Sequence, residues 1–210
     1  MDLYFSPLAC SMATRVTLYE AGGEARFIEV DTKAKRTRDG VDFNTINPLG
    51  QVPVLRTDAG ELLTENQVVL QYVADRYPEA GLAPADGLPR YRLQQWLSFI
   101  GTELHKAVFT ALLTAESPEG AKEFARQKIP ARFGHLSAQL QGREYLLDRF
   151  TVADAYLTTV LNNWSKPAGV DLGEWPVLRS YIGRMRERPS VARAFEEEWA
   201  FYQAEQARRS

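Results

Sequence analysis

The sequence predicts a small mixed α/β unit followed by an all-helical unit, on three observations. Over residues 1–77, short apolar runs of strand length alternate with helix-length stretches. The segment 78–89 carries three prolines and two glycines, so it supports no regular element. Beyond it, apolar residues recur only at the three- and four-residue spacing of helices.

Residues 3–5 read as a strand, 11–21 as a helix and 26–30 as a second strand. This βαβ opening implies parallel strands joined by a right-handed crossover. Strands at 52–56 and 62–63 follow, separated by Thr57-Asp58-Ala59-Gly60-Glu61, whose Asp-x-Gly chemistry reads as a hairpin. A helix over 65–77 closes a domain at 1–77. Residues 78–88 are the expected linker. The helical stretches 89–114, 120–140, 151–164, 175–188 and 190–207 then make an all-helical domain over 89–210. Thr151-Val152-Ala153-Asp154 fits a capping box, a structural role in which the acidic residue reaches back to the cap N–H.

The chain has 210 residues, 45% hydrophobic and 25% charged, with a formal net charge of -2. That balance gives no electrostatic footprint for nucleic acid or an anionic membrane surface. The first residues lack a basic start, and no apolar run approaches the roughly 20 residues that span a bilayer. A cytoplasmic protein is expected, with neither nucleic acid nor membrane as a partner. One cysteine excludes an intramolecular disulfide, and His105 and His135 share no ligand spacing, so no metal is expected.

The one cysteine, Cys10, stands where an apolar run stops at Pro7 and a helix begins. A thiol in the first turn of a helix faces unpaired backbone N–H groups and the positive end of the dipole, which favour thiolate; a bound anionic sulfur gains equally. A lone cysteine is also often a small buried apolar residue. Ser11 shares the helix start, whereas Tyr4, inside the first strand, reads as a core or sheet-face residue.

Three further segments can complete a site. In Asn47-Pro48-Leu49-Gly50-Gln51-Val52-Pro53, Pro53 falls where a loop becomes a sheet edge. A cis bond there aims the backbone of Val52 outward, to pair with an extended peptide; a trans proline starting an edge strand fits equally. Thr64-Glu65-Asn66 opens a helix, where free N–H groups hold a carboxylate and Glu65 accepts from an ammonium, or where the segment is only a cap. Lys33, Lys35, Arg36 and Arg38 form a basic loop, either a solvated surface or a partner for a second carboxylate. On the first long helix of the second half, Ser98, Thr102 and His105 share a face by their four- and three-residue spacing. A lone helical histidine there is either a satisfied surface residue or a catalyst.

Taken in order, Ser6-Pro7-x-Ala9-Cys10-Ser11, Asn47-Pro48-x-Gly50-Gln51-Val52-Pro53, Thr64-Glu65, Thr102-Glu103-Leu104-His105-Lys106 and Arg149-Phe150-Thr151-Val152-Ala153-Asp154 closely resemble the bacterial beta-class cytosolic glutathione transferases. The resemblance covers nearly the whole chain. It implies a thioredoxin-like N-terminal domain of order βαβαββα, an all-helical domain with a pocket for hydrophobic electrophiles, and a homodimer. Glutathione is implied as co-substrate, with no further cofactor, in conjugation of the detoxification type. By the same resemblance Cys10, Ser11 and His105 are catalytic candidates, Cys10 lying beside the glutathione sulfur. Gln51, Val52 and Pro53 border the cysteinyl unit, Glu65 and Asn66 hold the γ-glutamyl end, and Lys35 holds the glycyl carboxylate. Ser98, Thr102 and Glu103 resemble positions that face glutathione near the dimer interface.

Asn66 stands where serine is usual, Ser98 where asparagine is common, and Leu8 where glycine is frequent. Two other activities fit the same residues. One is monothiol disulfide reduction or peroxidase chemistry with Cys10 as nucleophile. The other is non-catalytic binding of glutathione or hydrophobic ligands.

Overall fold

The computed structural model describes residues 1–209. They form two compact units, one made of Met1–Ala83 together with the residues from Pro189 onward, the other of Pro84–Arg188.

In the first unit a five-stranded sheet has the order β3-β2-β1-β4-β5. β1 (Asp2–Phe5) runs parallel to β2 (Arg26–Asp31), and the helix α1 (Met12–Glu20) makes the crossover between them. β4 (Val54–Arg56) lies antiparallel to β1, and β5 (Leu62–Leu63) antiparallel to β4. α2 (Asn66–Arg76) follows. Because side chains alternate across a strand, β1 serves both faces of the sheet. Leu3 and Phe5 pack with Leu18, Leu55, Val69 and Val73, while Tyr4 packs with Val30, Phe43 and Val54. Tyr4 is thus a core residue, 5% exposed, as its place in the strand predicts.

Two features differ from the sequence reading. The basic stretch read as loop contains a short strand, β3 (Arg36–Thr37), antiparallel to β2, where Thr37 pairs with Val30. The middle helix of the βαβαββα order is a single 3₁₀ turn, Phe43–Thr45, capped by the Asp42 side chain. The linker also carries a 3₁₀ turn, Pro78–Ala80, and the next helix begins at Gly87. Pro89 therefore sits in the first helical turn, where its missing N–H costs nothing.

The second unit is helical. α3 begins as Gly87–Phe99, continues in wider π turns over Ile100–Thr110 and ends as Ala111–Leu113. α4 (Glu119–Leu140), α5 (Val152–Trp164) and α6 (Pro176–Arg186) complete it. α5 is buried all round from Val152 to Leu161, as its continuous apolar sequence requires. Its capping box forms: Asp154, fully buried, accepts from the backbone N–H groups of Leu146 and Thr151, from the Thr151 hydroxyl and from the Tyr181 hydroxyl, each at 3.0 Å. Burial pushes its carboxyl up to about 6 against these donors.

The last helix, α7 (Pro189–Arg209), belongs to the first unit, although the sequence reading placed it in a helical domain over 89–210. Apolar and ionic contacts hold it there: Phe201 meets Phe5 edge-on with ring centroids 5.3 Å apart, and Val191 and Ala194 are buried. Arg15 of α1, only 2% exposed, donates from Nε to Glu198 at 3.0 Å and from Nη1 to Glu197 at 3.0 Å. Its guanidinium also lies 3.8 Å from the ring centre of Phe27 and 4.5 Å from that of Phe5. No described helix is long and apolar enough to cross a membrane.

Candidate functional site

The pairing registers bring four predicted segments to one end of the sheet. Phe5, the last residue of β1, lies beside Glu29 near the end of the parallel β2, and Tyr4 faces Val54 at the start of β4. Leu63, at the end of β5, faces Leu55. The Ser6–Ser11 turn, Lys35, the Val52–Pro53 pair and Thr64–Asn66 therefore all extend from that end. Open sheets of this kind bind ligands at strand ends.

The turn that carries Cys10 is tightly held. Ala9 N–H donates to Ser6 O at 3.1 Å and Met12 N–H to Ala9 O at 3.0 Å. Leu8 adopts φ 60°, a left-handed conformation that costs a non-glycine residue about 1–2 kcal/mol. The Cys10 thiol is 7% exposed and donates to Val52 O at 3.4 Å. Ser11 is fully buried, and its hydroxyl donates to Ser6 O and accepts from Ser6 N–H, both at 3.3 Å. These bonds tie the two ends of the turn together.

The Val52–Pro53 bond is cis, the first of the two alternatives open in the sequence. Pro53 is buried, Val52 half-buried and Gln51 exposed. Asn47, 5% exposed, shapes the preceding loop by donating to Gln51 O at 2.8 Å and accepting from Leu49 N–H at 3.2 Å. Sequence reasoning quoted Asn47 in its motif without giving it this role; its Asn-Pro setting was the available signal. Lys35, at φ 55°, lies along Gly50 and donates from Nζ to Gly50 O at 3.0 Å. Gly50 itself sits at φ 58°, a left-handed conformation that favours glycine.

At the start of α2, Glu65 is exposed and sits at φ 62°. Asn66 is 7% exposed, and neither its amide nitrogen nor its amide oxygen has a hydrogen-bond partner within the protein. A buried polar group left so costs about 1–3 kcal/mol, which a ligand carrying both a donor and an acceptor offsets.

Among the second-unit candidates, His105 Nδ1 is 2.7 Å from the Tyr156 hydroxyl, and its ring meets Trp164 edge-on with centroids 4.6 Å apart. Burial, with a smaller push from Lys106, lowers its pKa to about 4, so the imidazole is neutral near pH 7. Ser98 and Thr102 are exposed, and Thr102 donates back to Ser98 O at 3.0 Å. From Ile100 the helix that carries Thr102 and His105 winds in π turns. Glu103 is held by Arg132 at 2.6 and 3.0 Å. Among the described residues no cluster could hold a metal ion.

A thioredoxin-like sheet with this furnished end, in a chain that also carries a helical unit, is the arrangement of glutathione-dependent transferases. A family model described as the N-terminal domain of glutathione S-transferase matches residues 2–75, and one described as the C-terminal domain matches residues 102–198. The chain belongs to the glutathione S-transferase family and resembles its bacterial beta class. It is 38% identical to glutathione S-transferase GstA of Escherichia coli O157:H7, over 94% of this chain and 98% of the relative. The beta-class glutathione S-transferase of Sphingomonas chungbukensis superposes with a TM-score of 0.90 at 43% identity, covering 94% of this chain and 98% of that one. A sphingomonad glutathione S-transferase solved with glutathione superposes at 0.89, with 42% identity and the same coverage.

Proposed function

We propose that the protein binds glutathione across the furnished end of the sheet and conjugates its thiolate to a hydrophobic electrophile. The glutathione S–H gives up its proton, the sulfur forms a bond to an electrophilic carbon, and a leaving group departs with its electron pair. The observation that carries this reading is the buried Asn66 amide, which lacks both a donor and an acceptor where the start of α2 offers free N–H groups. An amino acid terminus, with ammonium and carboxylate on one carbon, supplies both, and Glu65 takes the ammonium.

In this reading Lys35 meets the glycyl carboxylate, and Gln51, Val52 and Pro53 border the cysteinyl unit. Cys10 stands beside the sulfur, and the α1 N-terminus favours the thiolate over the thiol. His105 contributes as a neutral hydrogen-bonding ring. Ser98, Thr102 and Glu103 are the further glutathione-binding candidates of the helical unit, and glutathione is a co-substrate with no further cofactor. The working form is a cytoplasmic homodimer, which light scattering after size exclusion tests directly.

The deciding experiment loads the protein on immobilised glutathione, then assays the eluate with 1-chloro-2,4-dinitrobenzene and with a hydroxyethyl disulfide. Wild type and Cys10→Ala are compared. Conjugation is expected to persist in Cys10→Ala, because glutathione supplies the nucleophile. Disulfide activity alone, lost in the variant, would replace this mechanism with thiol–disulfide exchange through Cys10. Retention on the column with neither activity would make the protein a glutathione-binding protein.

A further inference from the structure

We infer that Glu198 is a positioning residue for the Cys10 turn: from the last helix of the chain, its buried carboxylate holds the Leu8 amide and so fixes how the thiol is presented. The two carboxylate oxygens are divided. Oε1 accepts from Arg15 Nε at 3.0 Å, and Oε2 accepts from the Leu8 backbone N–H at 2.7 Å across 190 residues of sequence. Glu198 is fully buried.

A buried ion pair is seldom retained for stability alone, since an apolar pair of similar volume does as well. The bond to Leu8 is what no apolar residue replaces. Leu8 has φ 60°, and a leucine relaxes from that region unless something holds it. The same turn carries the bonds from Ala9 to Ser6 and from Met12 to Ala9, with Cys10 between them. Holding Leu8 therefore holds Cys10 against Val52 O and keeps its thiol nearly closed to solvent. Arg15 in turn anchors the carboxylate, and stays anchored by Glu197, which itself accepts from Tyr19 and Arg193.

The test is the rate at which iodoacetamide alkylates the free protein. Cys10 is the only cysteine, so the rate reads this turn alone. It needs no bound glutathione, so it stands or fails separately from the proposed function. Glu198→Gln, close in shape, leaves one acceptor oxygen where two donors, Arg15 Nε and the Leu8 N–H, must be met, and is expected to raise the rate about tenfold, the effect of losing one hydrogen bond. It should raise the KM for glutathione and leave the KM for the electrophile unchanged. Glu197→Gln, which weakens the same network without touching Leu8, should lower the melting temperature with an alkylation rate within about twofold of wild type. A folded Glu198→Gln variant alkylated no faster than wild type, or a Glu197→Gln variant accelerated as much, would overturn the inference. Should Glu198→Gln fail to fold, hydrogen exchange of wild type decides: the Leu8 amide should be protected like the amides of α7, and exchange at the rate of an open turn would overturn it.

Discussion

Asn66 separates binding from stability. With both amide atoms buried and unpartnered, removing them takes away a cost in the free protein and a contact in the complex. Asn66→Ala should therefore raise the KM for glutathione about tenfold while the melting temperature holds or rises. A fall of several degrees in the melting temperature would show that the amide serves the fold. His105 gives a pH signature. Its folded pKa of about 4 lies below the unfolded value near 6.5, so the unfolded chain binds the proton first. The stability this group contributes is present above pH 6.5 and is lost as pH falls toward 4, by up to about 3 kcal/mol. Urea titrations should show wild type losing stability faster than His105→Asn over that window, and conjugation by wild type should show no histidine inflection between pH 6 and 7. At this scale the sequence exposed Cys10, Val52, Lys35 and Asn66, because each sits in a local pattern of turn, proline or helix start. It concealed Arg15 and Glu198, which look like surface charges on amphipathic helices and meet across 183 residues.

The elements follow the same division between local and distant causes. Strands with period-two alternation and the capped helix α5 were legible, since each is written within a dozen residues. The π turns of Ile100–Thr110 were not: their apolar spacing also suits an ordinary helix, and the choice between them lies in packing. β3 escaped for a related reason, because two residues of Arg-Thr carry no alternation and pair only because Val30 and Asp31 are there to receive them. The capping box at α5 can be weighed directly. Asp154→Ala leaves two backbone N–H groups and two hydroxyls without their acceptor in a dry interior, and should cost about 4 kcal/mol by urea unfolding. Asp154→Asn keeps one acceptor oxygen and should cost about half as much.

For the whole molecule, the informative fact is that its first unit is discontinuous in sequence. Met1–Ala83 reads as a complete thioredoxin-like domain, and nothing local in it shows that α7 belongs to it. Yet without α7 the Arg15 guanidinium loses both carboxylates, and an unpaired buried charge is among the most destabilising defects a core can hold. A chain ending before Pro189 should therefore fail to give a cooperatively folded first unit, as checked by amide dispersion in NMR spectra and by the sharpness of its urea transition. The same arrangement orders events in time. During synthesis the ribosome makes the sheet and the Cys10 turn first, then all of the second unit, and α7 after both. Until α7 emerges, the Leu8 amide has no carboxylate and the thiol is held loosely, so nascent chains should be alkylated more readily than finished ones. Maturation of the thiol site is thus timed by translation, and a ribosome stalled before residue 189 carries a protein whose chemistry has not yet been assembled.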